Sequence, residues 1–296
     1  MPSAPEVRSS DRTIDGPHGS IPIRLYSRSR GSGVAAGNRP GLVWVHGGGF
    51  IGGDLDMPEA DWVSRQLAER GIAVVSVFYR LSPPLDGSGD GVRFPVASEE
   101  GTAAFSWAHA HVDELGADPD RLSLGGASAG ANLSAGAALR LRDAAAAQPQ
   151  TVLLVYPLVH SRLPEFSAEL AAKVAGDPDS VISAEDIVEL NANYLGDAAD
   201  AAQSPYAFPA GHDLRGLPPT FILNSDIDTL RASGEAYAAE LAAAGVDVLV
   251  LREDGTHHGH LNEPTLPAAQ ASIERIAAWL AGGPLTGRRH EPPPAS

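Results

Sequence analysis

The 296-residue chain is 43% hydrophobic and 20% charged, with a formal net charge of −16 and no cysteine. These values exclude disulfides, thiolate nucleophiles and Cys-based metal sites, and they argue against a nucleic-acid partner, whose phosphates require clustered Lys and Arg. No apolar run reaches the roughly 18 residues of a membrane span, and Met1 to Asp11 has no signal-peptide core, so no membrane partner and a cytoplasmic location are expected.

Asp11–Ile14 and Ile21–Ser27 read as strands around a Gly-Pro-His-Gly turn, and the Gly-, Arg- and Ser-rich stretch 29–40 as a surface loop. Gly41–Val45 is a short apolar strand. Pro58–Arg70 has helical spacing at Trp62, Val63 and Leu67 and stops at Gly71. Ile72–Phe78 is β-branched and apolar throughout, as in a strand covered on both faces. After a Pro- and Gly-rich loop, Val96–His111 returns to helix, Arg121–Leu124 to strand, and an Ala-rich helix covers Ala129–Ala147. Thr151–Val155, Pro219–Leu223 and Val246–Leu251 complete eight strands, with helices at Leu230–Ala243 and Leu266–Ala281.

Strands alternating with helices predict an α/β fold, a mostly parallel eight-stranded sheet flanked by helices, in one domain over 11–281. Flexible tails are expected at 1–10 and 282–296. Between residues 157 and 208 there is no strand signal, but helical patterns occur at Pro164–Ala175 and Ser183–Leu195. A structureless loop of that size is rare in a compact domain. A helical lid inserted after the sixth strand fits better, lying over the sheet edge where α/β folds bind ligands. The lid helices and Leu266–Ala281 offer faces for a homodimer, although Ala-rich amphipathic helices ordinarily pack on their own sheet.

Two motifs carry chemistry. His46-Gly47-Gly48-Gly49 follows one strand, and Gly126-Ala127-Ser128-Ala129-Gly130 joins another to a helix about 80 residues later. The first offers bare backbone N–H groups to a developing oxyanion, and the second can lift a serine hydroxyl on a tight strand-to-helix turn. Phosphate-loop and dinucleotide readings fail because Gly-Lys-Ser/Thr is missing, as is a Gly-x-Gly-x-x-Gly that opens a helix after the first strand. A serine needs a base, and the base a carboxylate; the chain order Ser, acid, His points downstream. Candidates there are Asp226 and Asp228 beyond one strand, and His257, His258 and His260 beyond the last. Those histidines are also the only tight His cluster, but neighbours on an extended segment face opposite ways, so neither metal nor cofactor is expected.

Here the chain resembles the hormone-sensitive-lipase-like esterases of the α/β-hydrolase fold, from about Asp11 to Leu280. The resemblance rests on His-Gly-Gly-Gly-Phe at 46–50, Tyr79-Arg80-Leu81-Ser82-Pro83, Phe94-Pro95, the serine pentapeptide with Asn132, Asp228-Thr229-Leu230-Arg231, and His258-Gly259. It implies cofactor-free hydrolysis of short- to medium-chain acyl esters, a small-molecule substrate, with Ser128 as nucleophile, Asp228 as acid and His258 as base. It puts the oxyanion donors on the N–H groups of Gly48, Gly49 and Ala129. An amidase, formamidase or thioesterase would use the same machinery, and a non-catalytic ligand-binding member of the fold is a further alternative. His46 is expected to hold the oxyanion loop by hydrogen bonds.

The chain departs from the family pattern in places. The usual Asp before the nucleophile is Ala127, the glycine after the motif is Ala131, and the usual Phe after His-Gly is His260. His260 is expected either at a surface hydrogen bond or on a wetter pocket wall. Only about ten residues precede Asp11, without the periodicity of the family's N-terminal cap helix, so a reduced cap and a more open site are expected.

Overall fold

The computed structural model describes residues 6–28, 39–178, 181–197 and 201–282. The central strands β3 (Gly41–Val45), β4 (Ala73–Val77), β5 (Leu122–Ala127) and β6 (Val152–Val155) are buried along their whole length, as their unbroken apolar character demands. With β7 (Thr220–Ile227) and β8 (Val248–His257) they form a parallel array, and the hairpin β1 (Val7–Gly16)/β2 (Gly19–Arg28) adds two antiparallel strands at the β4 edge. The order is β1-β2-β4-β3-β5-β6-β7-β8 in one eight-stranded sheet.

The period-2 alternation of the strands sorts the core into two layers. Val43, Val45, Val75, Val77 and Leu124 point toward Phe105 of α2 (Val96–Ala110) and Leu133 of α4 (Ala129–Asp143). Farther along that face, Leu139, Leu154 and Ile222 pack with Tyr237 and Leu241 of α7 (Arg231–Ala243). Leu42, Trp44, Val74, Leu153 and Phe221 point the other way, onto Val63 and Leu67 of α1 (Asp61–Glu69) and Ile273, Ile276 and Trp279 of α8 (Pro267–Gly282). The apolar stripe of α8 is thus spent on its own sheet. The short α3 (Val112–Leu115) ends at Gly116 in the left-handed conformation, φ 66°.

Between β6 and β7 the chain builds α5 (Ala168–Gly176) and α6 (Ala184–Leu195). Both start on serine N-caps. The Ser167 hydroxyl accepts from the Leu170 N–H, and Ser183 and Asp186 form a reciprocal capping box. Among the described residues no helix precedes β1.

Several boundaries differ from the sequence reading. The expected tail over 1–10 is corrected at Val7–Ser10, which pair with Arg28, Ser27, Tyr26 and Leu25; an exposed edge strand has no need of the apolar alternation that would have marked it. β7 and β8 run four and six residues past their expected ends, so Asp226 lies in β7, and Asp254 to His257 lie in β8 and not in a loop. The loop expected at 29–40 falls almost wholly outside the described residues, as do the tails at 1–5 and 283–296.

Candidate active site

The serine turn is forced by packing. Ser128 leaves β5 with φ 55° and ψ −118°, a conformation costly for a non-glycine residue. The flanking glycines let the turn close. A Cβ on Gly130 would lie 2.1 Å from the Val45 carbonyl oxygen and 2.3 Å from that of His46, and one on Gly126 would lie 2.5 Å from Gly130 and Val45. The helix can therefore start directly against β3 only if both positions lack side chains. Asn132, one turn into α4, donates from Nδ2 to the Leu158 carbonyl at 2.8 Å and fixes the start of the insertion.

Downstream strand ends bring the partners. Asp228 follows β7 and is fully buried; its Oδ1 accepts from the Leu230 N–H at 2.9 Å. His258 follows β8. Its Nδ1 lies 2.8 Å from Asp228 Oδ2 and its Nε2 2.9 Å from Ser128 Oγ, so the three side chains form one hydrogen-bonded chain. Burial disfavours the imidazolium, but Asp228, and secondarily Glu59, outweigh it and raise the His258 pKa above the ordinary imidazole value.

The glycine loop lies opposite. Gly48 and Gly49 have φ of 115° and 60°, and a Cβ on Gly48 would meet the Gly52 carbonyl at 2.1 Å. The N–H groups of Gly48, Gly49 and Ala129 have no protein acceptor among the described residues. His46 is buried, its Nδ1 2.6 Å from the Gly47 carbonyl and its ring stacked on Tyr79 at 4.6 Å. Phe50, at the end of the loop, stacks on Tyr194 of α6 at 4.0 Å. A pocket of about 540 Å³ joins these parts, with Gly48, Gly49, Ser128 and His258 on its floor and Ile182, Ile187, Leu190 and Leu230 around it.

The competing candidates go elsewhere. Asp226 accepts from Lys173 Nζ at 2.6 Å and from the Gly255 N–H at 3.0 Å, with Arg231 and Arg252 each 3.3 Å away. Burial alone would raise its pKa, but these partners hold it below the ordinary carboxylate value. With Glu169, which bonds Arg231 at 2.7 Å, it clamps α5 to the sheet. His257 faces Asp177 at 3.3 Å. His260 meets neither expectation: it is neither at the surface nor on the pocket wall but 1% exposed, 2.9 Å from each of the Ser225 and Ser272 hydroxyls. A 3₁₀ turn after Gly259 rotates it inward under α8.

The residue that sequence reasoning missed is Glu59. It falls in the stretch Pro58–Arg70 with helical spacing, and it is 2% exposed beneath the pocket. Its Oε1 accepts from the Gly47 N–H at 2.6 Å, and its Oε2 accepts from the Tyr156 hydroxyl at 2.5 Å and from Asn262 Nδ2 at 3.3 Å. No local pattern announces this, because its side-chain partners Tyr156 and Asn262 lie 97 and 203 residues away.

Comparison with known proteins bears on the family and the fold. The model of a family with the alpha/beta hydrolase fold matches residues 42–262. The carboxylic ester hydrolase LipN of Mycobacterium tuberculosis is 37% identical over 86% of this chain and 65% of its own length. The carboxylesterase NlhH of the same organism is 34% identical over 93% of this chain and 83% of its own. A hyperthermophilic esterase from Pyrobaculum calidifontis superposes with a TM-score of 0.81 at 33% identity, covering 93% of this chain and 83% of that one.

Proposed function

The chain belongs to the hormone-sensitive-lipase-like esterase family of the α/β-hydrolase fold, and from that premise we propose that it is a serine carboxylesterase acting on short- to medium-chain acyl esters. The observation that carries the reading is the hydrogen-bonded chain Asp228–His258–Ser128 beside three unclaimed N–H groups.

In the proposed reaction His258 Nε2 takes the Ser128 proton as Oγ attacks the ester carbonyl. Asp228 keeps Nδ1 protonated and stabilises the imidazolium that forms. The N–H groups of Gly48, Gly49 and Ala129 receive the tetrahedral oxyanion, a contribution of about 3 kcal/mol per donor in sites of this kind. His258 then protonates the leaving alcohol, and water repeats the sequence on the acyl-enzyme. The insertion acts as the lid: Ile182, Ile187 and Leu190 give the pocket an apolar wall, which suits an acyl or alcohol group of modest size.

A fluorophosphonate probe is expected to label the wild type at Ser128, and a p-nitrophenyl ester panel to be turned over by the wild type and not by Ser128→Ala. Retained turnover in Ser128→Ala would overturn the reading. Matched butyryl anilides, assayed in parallel, should be poor substrates, and anilide turnover equal to that of the ester would move the assignment to an amidase.

A further inference from the structure

We propose that Glu59 is a second positioning carboxylate of the site, tying the oxyanion loop to the loop of the base and placing a negative charge behind His258. Its contacts reach three separate segments. Through Gly47 it holds the peptide immediately before the Gly48 and Gly49 donors, and a Cβ on Gly47 would lie only 2.7 Å from Oε1. Tyr156, at the end of β6, packs edge-on against the His258 ring at 4.9 Å. Asn262 closes the turn after His258, donating its backbone N–H to the Gly259 carbonyl at 2.8 Å. Asn262 also grips Glu59 from the other side, its Oδ1 accepting from the Glu59 N–H at 3.1 Å.

Burying a carboxylate beneath an apolar pocket is costly unless its lone pairs are claimed. Here three donors converge on two oxygens, the arrangement of an ionised group. Asp228 is orthodox support for Nδ1, whereas Glu59 makes no hydrogen bond to His258 and acts on it by charge. Burial pushes the Glu59 pKa above the ordinary carboxylate value, and the bonds from Tyr156, Gly47 and Asn262 together with the charge of His258 oppose that push. The polar and titratable groups facing His258 are Asp228 after β7, the Ser128 hydroxyl after β5, Glu59 before α1, Tyr156 after β6 and His260 two residues along. Of these only Asp228 and Glu59 are carboxylates, the groups able to set a negative charge beside the ring. The imidazolium formed during turnover therefore sits between two carboxylates, one of which also sets the position of the oxyanion donors.

The inference rests on His258 being the base, and the test separates the two claims. Glu59→Gln keeps an oxygen for the Gly47 N–H but removes the charge. A negative charge favours the protonated imidazole, so its loss must lower the His258 pKa. The acid limb of kcat/KM for p-nitrophenyl butyrate is expected to move down by about half to one pH unit, with kcat about tenfold lower and KM within about twofold of wild type. A purely structural Glu59 would leave the limb in place, and that result overturns the proposal. Glu59→Asp keeps the charge but withdraws from Gly47; it should leave the limb unmoved while kcat falls, and wild-type kcat there also overturns the proposal. Were Ser128→Ala still active, the esterase reading itself would go; an unmoved limb in an active protein removes only the role of Glu59.

Discussion

Replacing Asp228 by asparagine removes one charge and leaves the shape of the site intact, so the consequence can be worked from the hydrogen bonds. Asp228 accepts from the Leu230 N–H through Oδ1 and from His258 through Oδ2. The buried Leu230 N–H keeps the asparagine oxygen on the Oδ1 side, which puts the amide NH₂ where Oδ2 was, facing Nδ1. Two donors cannot share that 2.8 Å gap, so His258 must move its proton to Nε2. The ring then donates toward Ser128 Oγ instead of accepting from it, and the base is in the wrong tautomer. Loss of kcat should reach about 10⁴-fold, close to 5.5 kcal/mol of transition-state stabilisation, with KM and the melting temperature little changed. Asp226→Asn is the control. It weakens the cluster of Lys173, Arg231 and Arg252 and should lower stability by about 1–3 kcal/mol while kcat stays within a few-fold of wild type. Turnover of a p-nitrophenyl ester, with thermal melts of both variants, decides the matter. If Asp226→Asn abolished activity and Asp228→Asn did not, the reasoning would be refuted.

The remaining predictions concern packing, protonation and the pocket. Gly130→Ala puts a methyl into the carbonyls of Val45 and His46, which belong to the central sheet and cannot retreat; we expect a loss of about 3 kcal/mol or more and no fluorophosphonate labelling, and a wild-type melt would contradict this. Burial, reinforced by the nearby His258, holds the His260 pKa down to about 4, against 6.5 for the free imidazole. The unfolded chain therefore binds a proton that the fold refuses: this share of the stability, about 3 kcal/mol, is complete above pH 6.5 and is lost as pH falls toward 4. His260→Phe should reduce the slope of unfolding free energy against pH between those limits, as measured by urea titration, and an unchanged slope would contradict it. In a chain-length series of p-nitrophenyl esters, acetate and butyrate should be preferred, since a pocket of about 540 Å³ offers long chains little extra burial; preference for decanoate would refute the open-site argument.

How much of this was legible beforehand depends on the range of the interactions. The central strands show in the sequence because burial on both faces demands an unbroken apolar run, as in Gly41–Val45 and Ala73–Val77. The serine turn shows because the two glycines that its close approach to β3 requires, Gly126 and Gly130, lie within one five-residue motif. The hairpin edge does not show, because an exposed strand pairs through its backbone and leaves its side chains free to vary; the far end of β7 does not show because its buried residues Asn224, Ser225 and Asp226 are polar and break the apolar run.

The sequence by itself determined the alternating α/β plan, the identity of the two glycine loops and the short set of candidate acids and bases, since each of these is a matter of local conformation or residue chemistry. Only the tertiary structure decided which candidates meet. Asp226 and Asp228 are two residues apart, yet one faces Lys173 of α5 and the other His258, because the strand ends between them. His258 and His260 diverge in the same way at a left-handed Gly259. Glu59, Tyr156 and Asn262 become one cluster only when the sheet brings together loops widely separated along the chain, and a pairing of that range leaves no periodicity to read.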